Sequence, residues 1–242
     1  SNIMTLLICL ASTLLGALGA WIVARFGASL GLMDHPGERS SHYRPTPKGG
    51  GIGILAGFLL SSAVLPVSWA LWLPATALAL LGLVGDRFDV SPKLRLVIQF
   101  LASLTFLWGM GYRPGSGYSE LLLVLGLSIF VVGTANFYNF MDGINGIAGV
   151  TGIVAFALLG WSARAAVEPA GYGPMAFAIA CAGVGCLPFN MPGAKVFMGD
   201  VGSILLGFAF ATMAIVHSRS FFDLVWLKQK AGGDPFALFI SS

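Results

Sequence analysis

Residues 49–85 read GGGIGILAGFLLSSAVLPVSWALWLPATALALLGLVG, a run with no charged side chain. Pro66 divides it, because a proline inside a helix removes a hydrogen bond and clashes with the preceding turn. The run therefore predicts two apolar helices joined by a turn. A bilayer is crossed by about 20 apolar residues, with roughly 17 as the usual lower limit.

The rest of the chain repeats this pattern. Of 242 residues, 57% are hydrophobic and 10% are charged. Soluble domains carry roughly 25% charged residues, so the composition is that of an integral membrane protein. Apolar runs at 3–24, 50–65, 69–84, 94–111, 120–138, 146–162, 174–188 and 201–217 predict helices. A ninth begins near Pro235 and is cut off at Ser242. The expected fold is an all-α, polytopic helix bundle with about eight complete transmembrane helices and the start of a ninth. It forms one domain over 1–242, truncated at its C-terminus. Residues 3–24 are too long for a signal-peptide core and read as a retained first helix. Ser91-Pro92 is a helix start, a cap followed by proline in the first turn. Asp200 reads as the cap of the eighth helix. The net charge of +3, without a Lys/Arg run, gives no sign of a nucleic-acid partner. Cys9, Cys181 and Cys186 lie in apolar stretches and read as buried, inert thiols.

Alternate threading puts loops 25–49, 85–93, 139–145 and 189–200 on one side. That side holds Arg25, Arg39, Arg44, Lys48, Arg87, Lys93, Arg95 and Lys195. The other holds Arg113, Arg164, Arg219, Lys228 and Lys230. The positive-inside rule makes the first side cytoplasmic and leaves the N-terminus outside. Asp34, Glu38, Asp86, Asp89, Asp142 and Asp200 fall on that same side. Carboxylates beside hydrocarbon are costly and mark function. Several on one membrane face point to a metal, and a metal points to a phosphate substrate.

Four segments carry this chemistry. In FMGDVGS (197–203), Asp200 stands at a helix start, where amide donors favour anions. Its carboxylate suits a hard cation such as Mg²⁺; an ordinary helix cap fits equally. In NFYNFMDGINGIAG (136–149), Asn136, Asn139 and Asp142 recur every three residues. On a helix, neighbours in that series share a face suited to polar ligand recognition or metal support. Small-residue helix packing also explains the glycines there. In GDRFDVSPKLRL (85–96), Asp86 and Asp89 precede Lys93 and Arg95. Carboxylates beside cations fit a meeting point of Mg²⁺ and phosphate. Asp89 and Lys93 fit a solvated, salt-bridged loop better, whereas Asp86 lies nearest the apolar helix. In DHPGERSSHYRPTPKGGGIG (34–53), Arg39, His42, Arg44 and Lys48 attract an anionic head group, and the glycines can cradle phosphate. A basic loop touching anionic lipid is the plainer reading.

In this order, the segments SSHYRPTPKGGG (40–51), NFMDG (139–143) and FMGDVGS resemble the polyprenyl-phosphate N-acetylhexosamine-1-phosphate transferase family. The resemblance runs from about Asp34 to Ser203, and its first loop looks more like the O-antigen type than the muramyl-pentapeptide type. It implies a bacterial inner-membrane enzyme with a cytoplasmic active site. UDP-GlcNAc or a relative would give its sugar-1-phosphate to a polyprenyl phosphate such as undecaprenyl phosphate, releasing UMP. That reaction would start a cell-surface polysaccharide, such as the O-antigen of lipopolysaccharide. The implied cofactor is Mg²⁺, with Mn²⁺ as the alternative, and the implied metal ligand is Asp200. Asp86, Asp142 and Asp200 are the implied catalytic residues, Asp86 facing the lipid phosphate. The implied substrate-binding residues are Asn136, Asn139, Asn190, Phe197, Lys48, Arg44, His42, Lys93 and Arg95, with Phe197 and Asn190 on the uracil. Partners expected are the nucleotide sugar, the polyprenyl phosphate, membrane lipids and a second copy in a homodimer.

Three departures stand out. Gly85 occupies the place of the first aspartate of a pair, Asn145 replaces a second aspartate, and the family's late histidine-rich loop is absent. They keep open a homologue that binds lipid phosphate or nucleotide sugar without turnover. An ion-coupled transporter, which would carry its aspartates near the bilayer midplane, is the remaining alternative.

Overall fold

The computed structural model describes residues 2–34, 44–112, 118–164 and 170–230, with side chains to residue 219. His42 and the beginning of the ninth helix lie outside the described residues. Eight helices follow one another: α1 (Asn2–Phe26), α2 (Ile52–Val64), α3 (Trp69–Arg87), α4 (Pro92–Gly109), α5 (Tyr118–Met141), α6 (Ile147–Ser162), α7 (Tyr172–Asn190) and α8 (Gly199–Lys230). Five of them, α1, α3, α5, α7 and α8, are long and apolar enough to cross a membrane. The helices α2 and α6 are apolar but shorter, at 13 and 16 residues. The first half of α4 carries Lys93, Arg95 and Gln99.

Local chemistry sets the boundaries. Around Pro66, α2 stops at Val64 and α3 begins after Ser68, whose hydroxyl accepts from the Ala70 N–H at 3.2 Å. Pro92 opens α4, and the Ser91 hydroxyl accepts from the Leu94 N–H at 3.2 Å. One expectation needs correction. The eighth helix does not stop at residue 217 but runs to Lys230, because 218–230 contains neither glycine nor proline to end it. The bundle is all-helical as expected, with one two-residue ladder beside it. Met33–Asp34 (β1) pairs antiparallel with Thr46–Pro47 (β2), tying together the two ends of the first long loop.

The bundle is built around α8. In its most apolar stretch 83% of residues are buried, against 33% in α1 and in α5. The helices α3 and α5 flank it, and α2 and α6 also touch it. A second layer pairs α1 with α7. Small residues make that crossing: a Cβ on Gly185 would overlap the Thr13 carbonyl, and one on Gly16 the Ala182 carbonyl. Large apolar side chains line the outside, among them Leu6, Leu10 and Leu14 of α1 and Leu122, Ile129 and Phe137 of α5. This arrangement suits hydrocarbon as the solvent.

The α1–α7 crossing is testable. Gly185→Val should lower stability by about 1–3 kcal/mol or more, because backbone rather than a side chain must move. Gly126→Ala, whose added carbon meets nothing within 4 Å, should be neutral. Thermal unfolding in detergent, followed by tryptophan fluorescence, compares the two; equal midpoints would refute the packing.

Candidate functional site

The site is assembled where α8 begins. The first amides of any helix lack partners within it. Here they find carboxylates from elsewhere in the chain. The Gly199 N–H donates to Asp142 Oδ2 at 3.0 Å. The Asp200 N–H donates to Asp86 Oδ1 at 2.9 Å, and the Val201 N–H to Asp86 Oδ2 at 3.2 Å. Asp86 thus spends both oxygens on one helix start, and it is 4% exposed. It reaches there because Gly82, one turn earlier on the same face of α3, lets the two backbones meet. A Cβ at Gly82 would sit 2.7 Å from the Asp200 carbonyl carbon. Gly199 itself has φ +76°, and a Cβ there would lie 2.6 Å from Asp86 Oδ2. No side chain other than hydrogen fits between the turn and the carboxylate.

Asp200 has a different position from the one expected. It does not cap α8; it stands inside the first turn, and Asp86 and Asp142 take the capping role. Freed from that duty, its carboxylate turns to two neighbouring helices. Asp200 Oδ1 accepts from Asn139 Nδ2 at 2.6 Å, and Oδ2 pairs with Arg95 Nη1 at 2.6 Å. Asn139 also donates to Ser203 Oγ at 3.1 Å, one turn along α8. The Ser203 hydroxyl donates in turn to the Gly199 carbonyl at 3.0 Å.

The three-residue series on α5 therefore divides its work. Asn139 and Asp142 meet the start of α8, whereas Asn136 bonds Gln99 of α4 through its Nδ2 at 2.6 Å. Gln99, 1% exposed, was missed in the sequence. Its signal was present: an amide inside an apolar helix, one turn beyond Arg95, on the face that meets α5 and α8. Burial pushes the Asp142 carboxyl well above the usual carboxylate range, the Gly199 N–H works against this, and the charges of Asp86 and Asp200 add to it.

The other expected residues are spread around this centre. Asn190 is buried with both ends of its amide engaged: Oδ1 accepts from the Gly146 N–H at 3.1 Å and Nδ2 donates to the Val196 carbonyl at 3.2 Å. It braces the loop after α5 against the loop before α8. Phe197 is half-buried in that second loop, and Lys48 pairs with it as an isolated bridge. Lys48 Nζ lies 3.9 Å from Asp34. The glycine run does not offer free amides to a phosphate. The Gly49 and Gly50 N–H groups donate to the Phe197 carbonyl at 3.1 and 2.9 Å, and that of Gly51 to the Met198 carbonyl at 2.8 Å. The backbone there is consumed in stitching the first loop to the last. Arg44, Lys93 and Asp89 are exposed.

No group of three His, Cys, Asp or Glu side chains with metal-binding geometry occurs among the described residues. A sparse protein donor set suits Mg²⁺, which is commonly held by one or two carboxylates plus waters and substrate phosphates. Asp200, with hard oxygen donors and 22% of its side chain exposed, has the chemistry for this. The carboxylates of the site gather at one end of the bundle, where α3 and α5 finish and α8 starts, and not at mid-helix.

The profile of glycosyl transferase family 4 matches residues 68–218. The chain is 31% identical over 195 residues to the undecaprenyl-phosphate alpha-N-acetylglucosaminyl 1-phosphate transferase of Thermotoga maritima, covering 81% of this chain and 60% of that one. It is 31% identical over 238 residues to the protein of the same description from Salmonella typhi, covering 86% and 62%. It is 30% identical over 218 residues to the decaprenyl-phosphate N-acetylglucosaminephosphotransferase of Mycolicibacterium smegmatis, covering 77% and 52%. The chain thus spans between half and two thirds of the length of these relatives.

The capping role of Asp86 predicts a stability effect separate from any reaction. Asp86→Asn leaves one acceptor for two amides and aims an NH₂ at an N–H. It should cost about 1–3 kcal/mol in thermal unfolding. Asp89→Asn, on an exposed side chain, should stay within about 0.5 kcal/mol of the parent. Equal midpoints for the two variants would remove Asp86 from the cap.

Proposed function

Because the chain belongs to glycosyl transferase family 4, we propose that it transfers sugar-1-phosphate from a UDP-N-acetylhexosamine to polyprenyl phosphate. An oxygen of the lipid phosphate attacks the sugar-bearing phosphorus. The bond from that phosphorus to the UMP oxygen breaks, leaving polyprenyl-diphospho-sugar and UMP. The observation that carries this reading is the meeting of Asp86, Asp142 and Asp200, from three separate parts of the chain, around the start of α8 at the end of an apolar bundle. A soluble donor and a lipid acceptor need a site at such an edge. The printed descriptions of the relatives, which pair undecaprenyl or decaprenyl phosphate with N-acetylglucosamine, support the substrate classes.

Phosphoryl transfer depends mostly on positioning and charge neutralisation. A phosphate monoester has a second pKa around 6, so the acceptor is already largely ionised and a strong base is not required. We assign Asp200 as the ligand of Mg²⁺, or of Mn²⁺ in its place. The ion, when bound, neutralises the diphosphate and stabilises the departing UMP. Asn139 holds the Asp200 carboxylate in place, while Asp86 and Asp142 hold the α8 turn from which it projects. Asp86 and Asp142 shape the lipid-phosphate and nucleotide ends through that turn, which their carboxylates cap. Phe197 is assigned to the uracil, with Asn190 bracing the loops on either side of that pocket, and Asn136 to the polar wall. Arg44, Lys48, Lys93 and Arg95, with His42, draw the anionic substrates in. The bias of basic side chains toward this end supports a cytoplasmic site in a bacterial inner membrane, and the reaction suits the first step of a cell-surface polysaccharide.

Gly85 favours a second reading, a binder of lipid phosphate or nucleotide sugar that does not turn over. Full-length protein with polyprenyl phosphate, UDP-GlcNAc and Mg²⁺ should release UMP, and Asp200→Asn should lower the rate by about a hundredfold or more. Absence of UMP with every UDP-N-acetylhexosamine would leave the binder. Near-normal activity of Asp200→Asn would remove its ligand role.

A further inference from the structure

The cation now on Asp200 belongs to the chain itself. Arg95 Nη1 sits 2.6 Å from Asp200 Oδ2, with 23% of the arginine and 22% of the aspartate side chain exposed. A pair this short and this sheltered is a strong charge-assisted contact, unlike a surface ion pair. The guanidinium has room there because residue 85 has no side chain. A Cβ on Gly85 would meet Arg95 Nη2 at 3.0 Å and Asp200 Oδ2 at 3.5 Å. Gly85 and Arg95 lie on consecutive helices, α3 and α4, so the space and its occupant are built by one hairpin.

We propose that Arg95 competes with the divalent cation for Asp200, so that metal and the diphosphate of the donor bind cooperatively, with Arg95 as the coupling residue. This rests on the assignment of Asp200 as the metal ligand. A metal approaching Asp200 alone meets a guanidinium already within contact distance of the same carboxylate. Two cations on one carboxylate repel unless an anion lies between them. The diphosphate supplies that anion: its oxygens can accept from the planar fork of Arg95 as the fork leaves Asp200, and complete the shell of the metal that replaces it. Arg95 therefore acts as a positioning residue that holds the carboxylate when the site is empty and turns to phosphate when it fills. Asn139, which bonds the other oxygen of Asp200, keeps the carboxylate oriented through the exchange.

The test is Mn²⁺ binding to the purified full-length chain, read as free Mn²⁺ by electron paramagnetic resonance, with and without UDP. The parent protein should bind Mn²⁺ weakly alone and about tenfold more tightly with UDP. Arg95→Gln should bind Mn²⁺ more tightly than the parent without UDP and gain little when UDP is added. Gly85→Ala, which pushes the guanidinium aside without removing it, should shift both values in the same direction and covers the case in which Arg95→Gln does not fold. Unchanged or weaker Mn²⁺ affinity in these variants, with the UDP effect intact, would overturn the competition. Asp200→Asn separates the two levels. If it binds Mn²⁺ as the parent does, the metal assignment fails; if it loses binding while Arg95→Gln matches the parent, only the coupling fails.

Discussion

The bundle depends on how the start of α8 is satisfied. A helix that begins within an apolar bundle leaves N–H groups that water cannot easily reach, and each is costly if unpaired. Two carboxylates meet three of these groups: Asp142 takes Gly199, and Asp86 takes Asp200 and Val201. The carboxylates are themselves expensive in this setting, and the positive end of the helix dipole offsets part of that cost. Each partner makes the other tolerable. The arrangement fixes the ends of α3 and α5 against the most buried helix in the molecule, and so it fixes the geometry of everything borne on them.

Around that cap, the polar side chains fall into braces and working groups. Asn190 links two loops, and Gln99 links α4 to α5 through Asn136. The amides of Gly49, Gly50 and Gly51 link the first loop to the last. None of these need touch a ligand to matter, since each sets the distance between groups that would. Asp200 is the exception, a carboxylate held at both oxygens by side chains rather than by backbone, Asn139 on one and Arg95 on the other. The carboxylates of Asp86 and Asp142 accept from backbone instead.

Much of this was legible in the sequence, and the reasons for the gaps are physical. Long apolar runs marked the eight helices, because hydrocarbon selects strongly against charge, although the runs for α4 and α5 carry Arg95 and Glu120. Most of their ends were displaced by a few residues, while α8 ran on from 217 to Lys230 because no glycine or proline in that stretch stops it. The three aspartates stood out because carboxylates at a membrane edge are rare. Which aspartate caps and which is left over could not be read, because local spacing made Asp200 look like its own helix's cap, while the true acceptors come from far along the chain. Gln99 went unnoticed for a similar reason: its partner Asn136 lies on another helix.

Sequence separation also bears on how the molecule is put together. The bonds that cap α8 join residues 57, 114 and 115 positions apart. Helices of a membrane protein can insert individually and associate afterwards. Inserted alone, α8 would enter the bilayer with its first turn uncapped, and that turn would be completed only when α3 and α5 had docked on either side. The carboxylate cluster is then complete only once α3, α5 and α8 stand together. A chain arrested before that stage would possess its spanning helices yet lack the cluster, because no single helix carries the whole of it.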